Sequence, residues 1–241
     1  MSNGIAKGLL LAGFVSLAGC DTQSLPERSA SRPAALDGHS FEIRYQVDPA
    51  RHRVWWLTRE GVSLDDATRP QRFALTLPGW QWAGAPYGSL PDLALGAQGE
   101  ALVTSDIVPT LWRIDPETLA VSVHPLALDS DRDKDVGFSA IVYSREHSAF
   151  FGVSGMHGSL WMIDRSLTRA QKIALSDPVR QASRIAIAAR MMRPDSGRFC
   201  VRAPYKEWTI NLLPDRRTAS VHEAPCTDLP WQLSQLSLKG K

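Results

Sequence analysis

The sequence predicts an all-β, propeller-like domain of about four blades, each of four antiparallel strands. Three observations predict it. From Phe41 onward, short runs of Val, Ile, Leu and aromatic residues are separated by Pro, Gly and Asp, the texture of many short strands with frequent turns. A strand–polar turn–strand unit recurs three times, with Trp112, Trp161 and Trp208 spaced by 49 and 47 residues. Upstream of each unit lies another pair of apolar runs, so the period of about 40–56 residues holds four strands, as blades do. A β-sandwich is the alternative architecture.

The units read as follows. Leu111–Asp115 turns through Pro116–Thr118 into Val121–Val123, Leu160–Asp164 through Arg165–Leu167 into Lys172–Leu175, and Glu207–Asn211 through Pro214–Arg216 into Ala219–Val221. The upstream pairs are Leu93–Leu95 with Ala101–Val103, Ala140–Tyr143 with Ala149–Val153, and Ile185–Ile187 with Phe199–Val201. The first unit has Ile43–Val47, Val54–Leu57 and Phe73–Leu77. Only Ser183–Met192 offers a helical period. In strands, Trp112 and Ile114, Trp161 and Ile163, and Trp208 and Ile210 each share a face, which predicts core tryptophans. At the level of architecture the chain resembles the WD40-like and YVTN-like propeller class over about residues 41–224. The resemblance carries no Gly-His…Trp-Asp signature and implies no particular function.

The first twenty residues bear on location. Lys7 precedes an apolar run from Gly8 to Leu17, too short to span a bilayer, and Leu17-Ala18-Gly19-Cys20 follows. This stretch resembles the lipobox signal peptide of bacterial lipoproteins. The resemblance implies cleavage of residues 1–19, lipid (palmitate among its chains) on Cys20, and a mature protein at the periplasmic side of a membrane. More than one acyl chain makes such anchoring stable. Asp21 resembles the residue that retains lipoproteins at the inner membrane, with the outer membrane as the alternative. Residues 20–40 are rich in Ser, Pro and Arg and read as a flexible tether. Residues 41–241 form the domain; the final run with Leu233, Leu236 and Leu238 reads equally as a closing strand or a tail.

Composition narrows the function. Hydrophobic residues make up 44%, enough for a packed core, and 27 basic against 25 acidic side chains give no electrostatic reason to bind nucleic acid. With Cys20 lipidated, Cys200 and Cys226 remain as an even pair in an oxidising compartment and are expected to form a disulfide.

Four stretches are candidate sites. Trp80, Trp82 and Tyr87 lie in a long Gly- and Pro-flanked connection, suited to binding a partner or to plugging the end of the domain. Asp129, Asp131, Asp133 and Asp135 alternate before Gly137 and could supply oxygen ligands to calcium. Against an EF-hand loop, Lys134 stands where Gly is needed and Ala140 where Glu is needed. Gly152–Gly158 places Ser154 and His157 in a Gly-rich turn, but Met156 breaks the Gly-x-Ser-x-Gly elbow. The histidines show no paired metal-binding spacing. No catalytic residue is assigned. The expected function is a non-catalytic, membrane-anchored, protein-binding or scaffold lipoprotein of an envelope complex, or a binder that neutralises a toxin. A metal- or ligand-dependent sensor or hydrolase using the central end of the propeller is the alternative.

Overall fold

The computed structural model describes residues 34–35, 42–69, 72–83, 90–129, 137–187 and 197–226. All of the regular structure among them is strand. After a two-residue strand β1 (Ala34–Ala35), blade 1 is built from β2 (Glu42–Asp48), β3 (Arg53–Thr58), β4 (Val62–Asp66) and β5 (Phe73–Leu75). Blade 2 is β6 (Leu93–Leu95), β7 (Ala101–Val103), β8 (Thr110–Ile114) and β9 (Val121–Pro125). A short β10 (Ala127–Leu128) precedes blade 3, which is β11 (Ala140–Ser144), β12 (Ala149–Ser154), β13 (Ser159–Ile163) and β14 (Arg169–Leu175). Blade 4 is β15 (Arg184–Ile187), β16 (Arg198–Arg202), β17 (Glu207–Leu212) and β18 (Thr218–Glu223).

Each blade is an antiparallel meander in chain order. The first strands lie side by side, β2 by β6, β6 by β11 and β11 by β15, so they form the inner ring. The outer strands are tied as well. β10 pairs in parallel with β14, and β14 pairs in parallel with β18 through Ala174↔Thr218 and Leu175↔Ala219. β1 extends blade 1 outward against β5.

The strands expected from the repeat are present, and three more join them: the short β1, within the stretch read as a tether, the short β10, and β4. β4 carries Ser63, Asp65 and Asp66, too polar a run to read as a strand. It is held because Asp65 accepts the Trp56 Nε1–H at 2.7 Å and pairs with Arg72. The helical period of Ser183–Met192 does not survive in Arg184–Ile187, which is β15: pairing with β16 satisfies this backbone. Residues 188–192 lie outside the described residues.

The tryptophan repeat marks how the blades pack. Trp112 and Ile114 join Trp55, Leu57 and Leu64 between blades 1 and 2. Trp161 and Ile163 join Leu102 and Leu111 between blades 2 and 3. Trp208 and Ile210 join Phe151, Val153 and Leu160 between blades 3 and 4. Each pair therefore points back at the preceding blade, and all six side chains are buried. Burial of such large side chains contributes about 1.5–3 kcal/mol each.

A second repeat closes the turn between strands three and four of every blade. Asp66, Asp115, Asp164 and Asp215 each accept the backbone N–H and hydroxyl of a following threonine: Thr68, Thr118, Thr168 and Thr218. Such Asp–Thr turns satisfy backbone donors that leave the ladder.

Candidate functional site: the upper axial end

Antiparallel meanders put the turns between strands two and three, and the connections between blades, at one end of the disc. This upper end carries residues 76–83, Thr104–Pro109, Gly155–Gly158 and Ala203–Lys206. The Trp80–Trp82 connection is fastened there. Trp80 Nε1–H donates to Thr104 O at 2.9 Å, Ser105 Oγ–H donates to Gln81 O at 2.7 Å, and Trp112 Nε1–H donates to Pro78 O at 2.7 Å. Trp82 Nε1–H reaches Arg59 O at 3.4 Å. The two indoles lie 6.1 Å apart, half-buried against the core between blades 1 and 2. Trp80 is thus the anchored member and Trp82 the outer one. Tyr87 lies outside the described residues.

Two apolar side chains that sequence reasoning missed stand proud of the same end. Met156 in the blade 3 turn is 59% exposed, and Tyr205 in the blade 4 turn is 95% exposed. Tyr205 follows Pro204 in a two-strand turn, where a large ring has no neighbour to pack on, and that was the available signal. A shallow groove beside Tyr205 is lined by Arg202, Lys206, Glu207 and Glu223.

All four blades meet at the upper end of the inner ring, around Asp92. The Arg44 Nε stands 3.5 Å from its Oδ1, and its Oδ2 accepts the Ile141 N–H at 2.9 Å. Arg44 also donates to Ser183 O at 3.0 Å, which ties blade 1 to blade 4. Arg184, next in the chain, adds a third charge to the field at Asp92. Burial pushes the Asp92 carboxyl above the usual carboxylate range, against the pull of Arg44 and the Ile141 N–H. Ser139 fastens the next layer: its Oγ lies 2.5 Å from Ala182 O and accepts the Gly155 N–H at 2.9 Å. Asp106 uses Oδ1 to accept the Ala83 N–H, while its buried Oδ2 has no partner among the described residues; burial raises its pKa too. Arg44, Asp92 and Ser139 are engaged across blades and to the loop at Gly155, so the hub helps to orient the end above it.

The other candidates fall apart from this end or from each other. Asp129 accepts the Lys172 N–H at 2.9 Å beside β14. Asp131, Asp133 and Asp135 lie outside the described residues, and among the described residues no group of three metal-binding side chains is gathered. Ser154 is buried, while His157 is exposed and contributes its backbone N–H to Ser154 Oγ at 3.5 Å. Cys200 and Cys226 lie at disulfide distance with Cα atoms 5.9 Å apart, in a small cluster with Ala186 on blade 4. Cys20 is outside the described residues. Among the described residues, no helix is long and apolar enough to cross a membrane.

No known family model matches the chain, and no curated protein sequence matches it. Solved structures do. Virginiamycin B lyase from Staphylococcus aureus superposes with a TM-score of 0.51 at 14% identity, over 85% of this chain and 58% of that one. An auxiliary nutrient binding protein from Bacteroides thetaiotaomicron gives 0.54 at 9% identity, over 77% and 42%. Kuenenia stuttgartiensis hydrazine synthase gives 0.52 at 11%, over 79% and 53%. These neighbours are propeller-like, and the fold of this chain is all-β and propeller-like, with four blades of four antiparallel strands. The chain spans less than two thirds of the length of each of the three.

Proposed function

We propose that the protein is a non-catalytic binding module, lipid-anchored through Cys20 and facing the periplasm, whose upper axial end engages a protein of the cell envelope or a toxin that it neutralises. One observation carries the reading: Trp82, Met156 and Tyr205, from three different blades, present apolar surface at the same end, over a hub that fixes the loops bearing them. Exposed aromatic and methionine side chains on a rigid frame are the residue types that dominate protein interfaces. The lipobox resemblance at residues 17–20 supports the location, and the near-balance of charge favours a protein over a polyanion as partner. Propeller neighbours that include a lyase and a nutrient binding protein leave the function to the surface of each chain.

The test is mild crosslinking in native membranes, followed by purification and mass spectrometry, with wild type beside a Trp82→Ala/Tyr205→Ala double variant. Capture of one stoichiometric envelope or toxin protein by the wild type, lost in a folded double variant, is expected. Equal capture by both proteins removes this surface. A Cys20→Ser variant is expected to leave the membrane fraction, and its retention there would refute the lipid anchor.

A further inference from the structure

A second concave site lies between blades 2 and 3, toward the opposite end of the disc. It is a cleft of about 350 Å³, within the usual size of small-ligand sites. Its floor is aromatic: Tyr143 on β11 and Phe150 on β12 pack with ring centroids 4.9 Å apart. Phe150 is buried, and Tyr143 is half-buried and lines the opening. Arg113 on β8 and Arg165 in the blade 3 turn flank this floor from two blades. Neither guanidinium takes part in an ion pair among the described residues. The nearby Asp115 carboxylate is engaged by the Glu117 and Thr118 amides of its own turn.

Two further polar groups line the cleft, the Glu100 carboxylate and the His124 imidazole, and neither forms an ion pair with the two arginines among the described residues. Glu100 folds back on its own hairpin, where it accepts the Gln98 N–H at 2.8 Å and crowds Gly96. His124 lines the cleft and shares a hydrogen bond with Ser122 through Nε2 at 2.9 Å. Burial, and then the charge of Arg113, hold its imidazole below the ordinary pKa. At neutral pH it is therefore a neutral hydrogen-bonding group and adds no charge of its own.

We infer that this cleft binds a small organic anion bearing a planar ring, with the anionic group between Arg113 and Arg165 and the ring against Tyr143. Arginine forks match carboxylate and phosphate oxygens, and a planar ring gains from an aromatic wall. The anion is a carboxylate or a phosphomonoester, two groups that share this chemistry. The site is separate from the upper end and does not depend on the function proposed for it.

The test is isothermal titration of the full chain with four probes: benzoate, phenyl phosphate, inorganic phosphate and benzyl alcohol. Benzoate or phenyl phosphate is expected to bind at least about tenfold more tightly than phosphate or benzyl alcohol, because only the ring anions use both halves of the cleft. The tighter ring anion identifies the anionic group. Arg165 is exposed, so Arg165→Gln leaves the fold intact; this variant and Arg113→Gln are each expected to weaken the ring anion about tenfold. Failure of both ring anions to bind, undiminished binding to Arg165→Gln, or phosphate binding as tight as phenyl phosphate would each overturn the inference.

Discussion

Between blades 2 and 3, Trp161 is fully buried, meets Phe138 edge-on at 6.5 Å, and packs with Ile163, Leu102 and Leu111. Between blades 4 and 1 the corresponding surfaces differ. The face of blade 4 turned away from blade 3 carries Arg184, Arg202 and Glu207 in one register row, and Ala186, Cys200 and Thr209 in the next. The face of blade 1 turned away from blade 2 carries Tyr45, Trp56 and Ser63 in register. No apolar cluster of described residues joins these two faces; Arg44 and its bond to Ser183 do. Apolar contact is non-directional and proportional to area, so it supplies stability but fixes registry poorly. A charged, hydrogen-bonded junction supplies little net stability but is costly to misalign. Three junctions of one kind and one of the other thus divide the work: the first three hold the disc together, and the last sets how its ends meet. The cysteine pair, at disulfide distance, sits on the polar side, where a covalent link between the two would add about 3 kcal/mol that apolar area does not provide.

Substitutions on either side of this comparison test it. Trp161→Ala removes the largest buried side chain of an apolar junction and is expected to lower stability by about 3–5 kcal/mol, read by urea denaturation. A loss below about 1 kcal/mol would show that the tryptophan repeat does not carry the packing. Arg44→Met is expected to cost about 2–4 kcal/mol, because it leaves the Asp92 carboxylate buried without its partner. Adding Asp92→Asn to the same chain should recover part of that loss, whereas independent additive losses would mean the two do not act as a pair.

The smallest effect belongs to the turns at the lower end, away from both kinds of junction. The Thr68 hydroxyl, with the Thr68 N–H and Arg53, holds the Asp66 carboxyl down to about 2. A depressed carboxylate contributes stability that is complete above its unfolded pKa near 4 and fades as pH falls through about 4 to 2. Asp66→Asn is therefore expected to cost about 1–2 kcal/mol at neutral pH and to flatten the acid limb of the stability profile in that window. An unchanged acid limb would show that the turn does not bind the charged form.

The division between what is legible in the chain and what is not follows the same line. Strands rich in β-branched and aromatic residues, and a tryptophan that recurs on the third strand of blades 2, 3 and 4, are local features, so the repeat and its buried face are readable from spacing. β4 was not, because Asp65 and Asp66 are strand residues only in the company of Trp56, Arg72, Arg53 and Thr68. The candidate sites divide likewise. Trp80 and Trp82 stand out as aromatics in a connection, but that Trp80 is the anchored one depends on Thr104, twenty-four residues away. That Met156 and Tyr205 share one end follows only once blades 3 and 4 are packed side by side.

The sequence by itself determined the strand texture, the number of repeats, the inward face of blades 2, 3 and 4, and that its two late cysteines lie at disulfide distance. All of these rest on periods and parities carried by the chain locally. Only the tertiary structure decided that Arg44, Asp92, Ile141 and Ser183 meet at one hub, and that Arg113 and Arg165 face one cleft with an aromatic floor. The charges of the hub and of the cleft carry no period, unlike the Asp–Thr turns, and their partners are chosen by how whole blades pack.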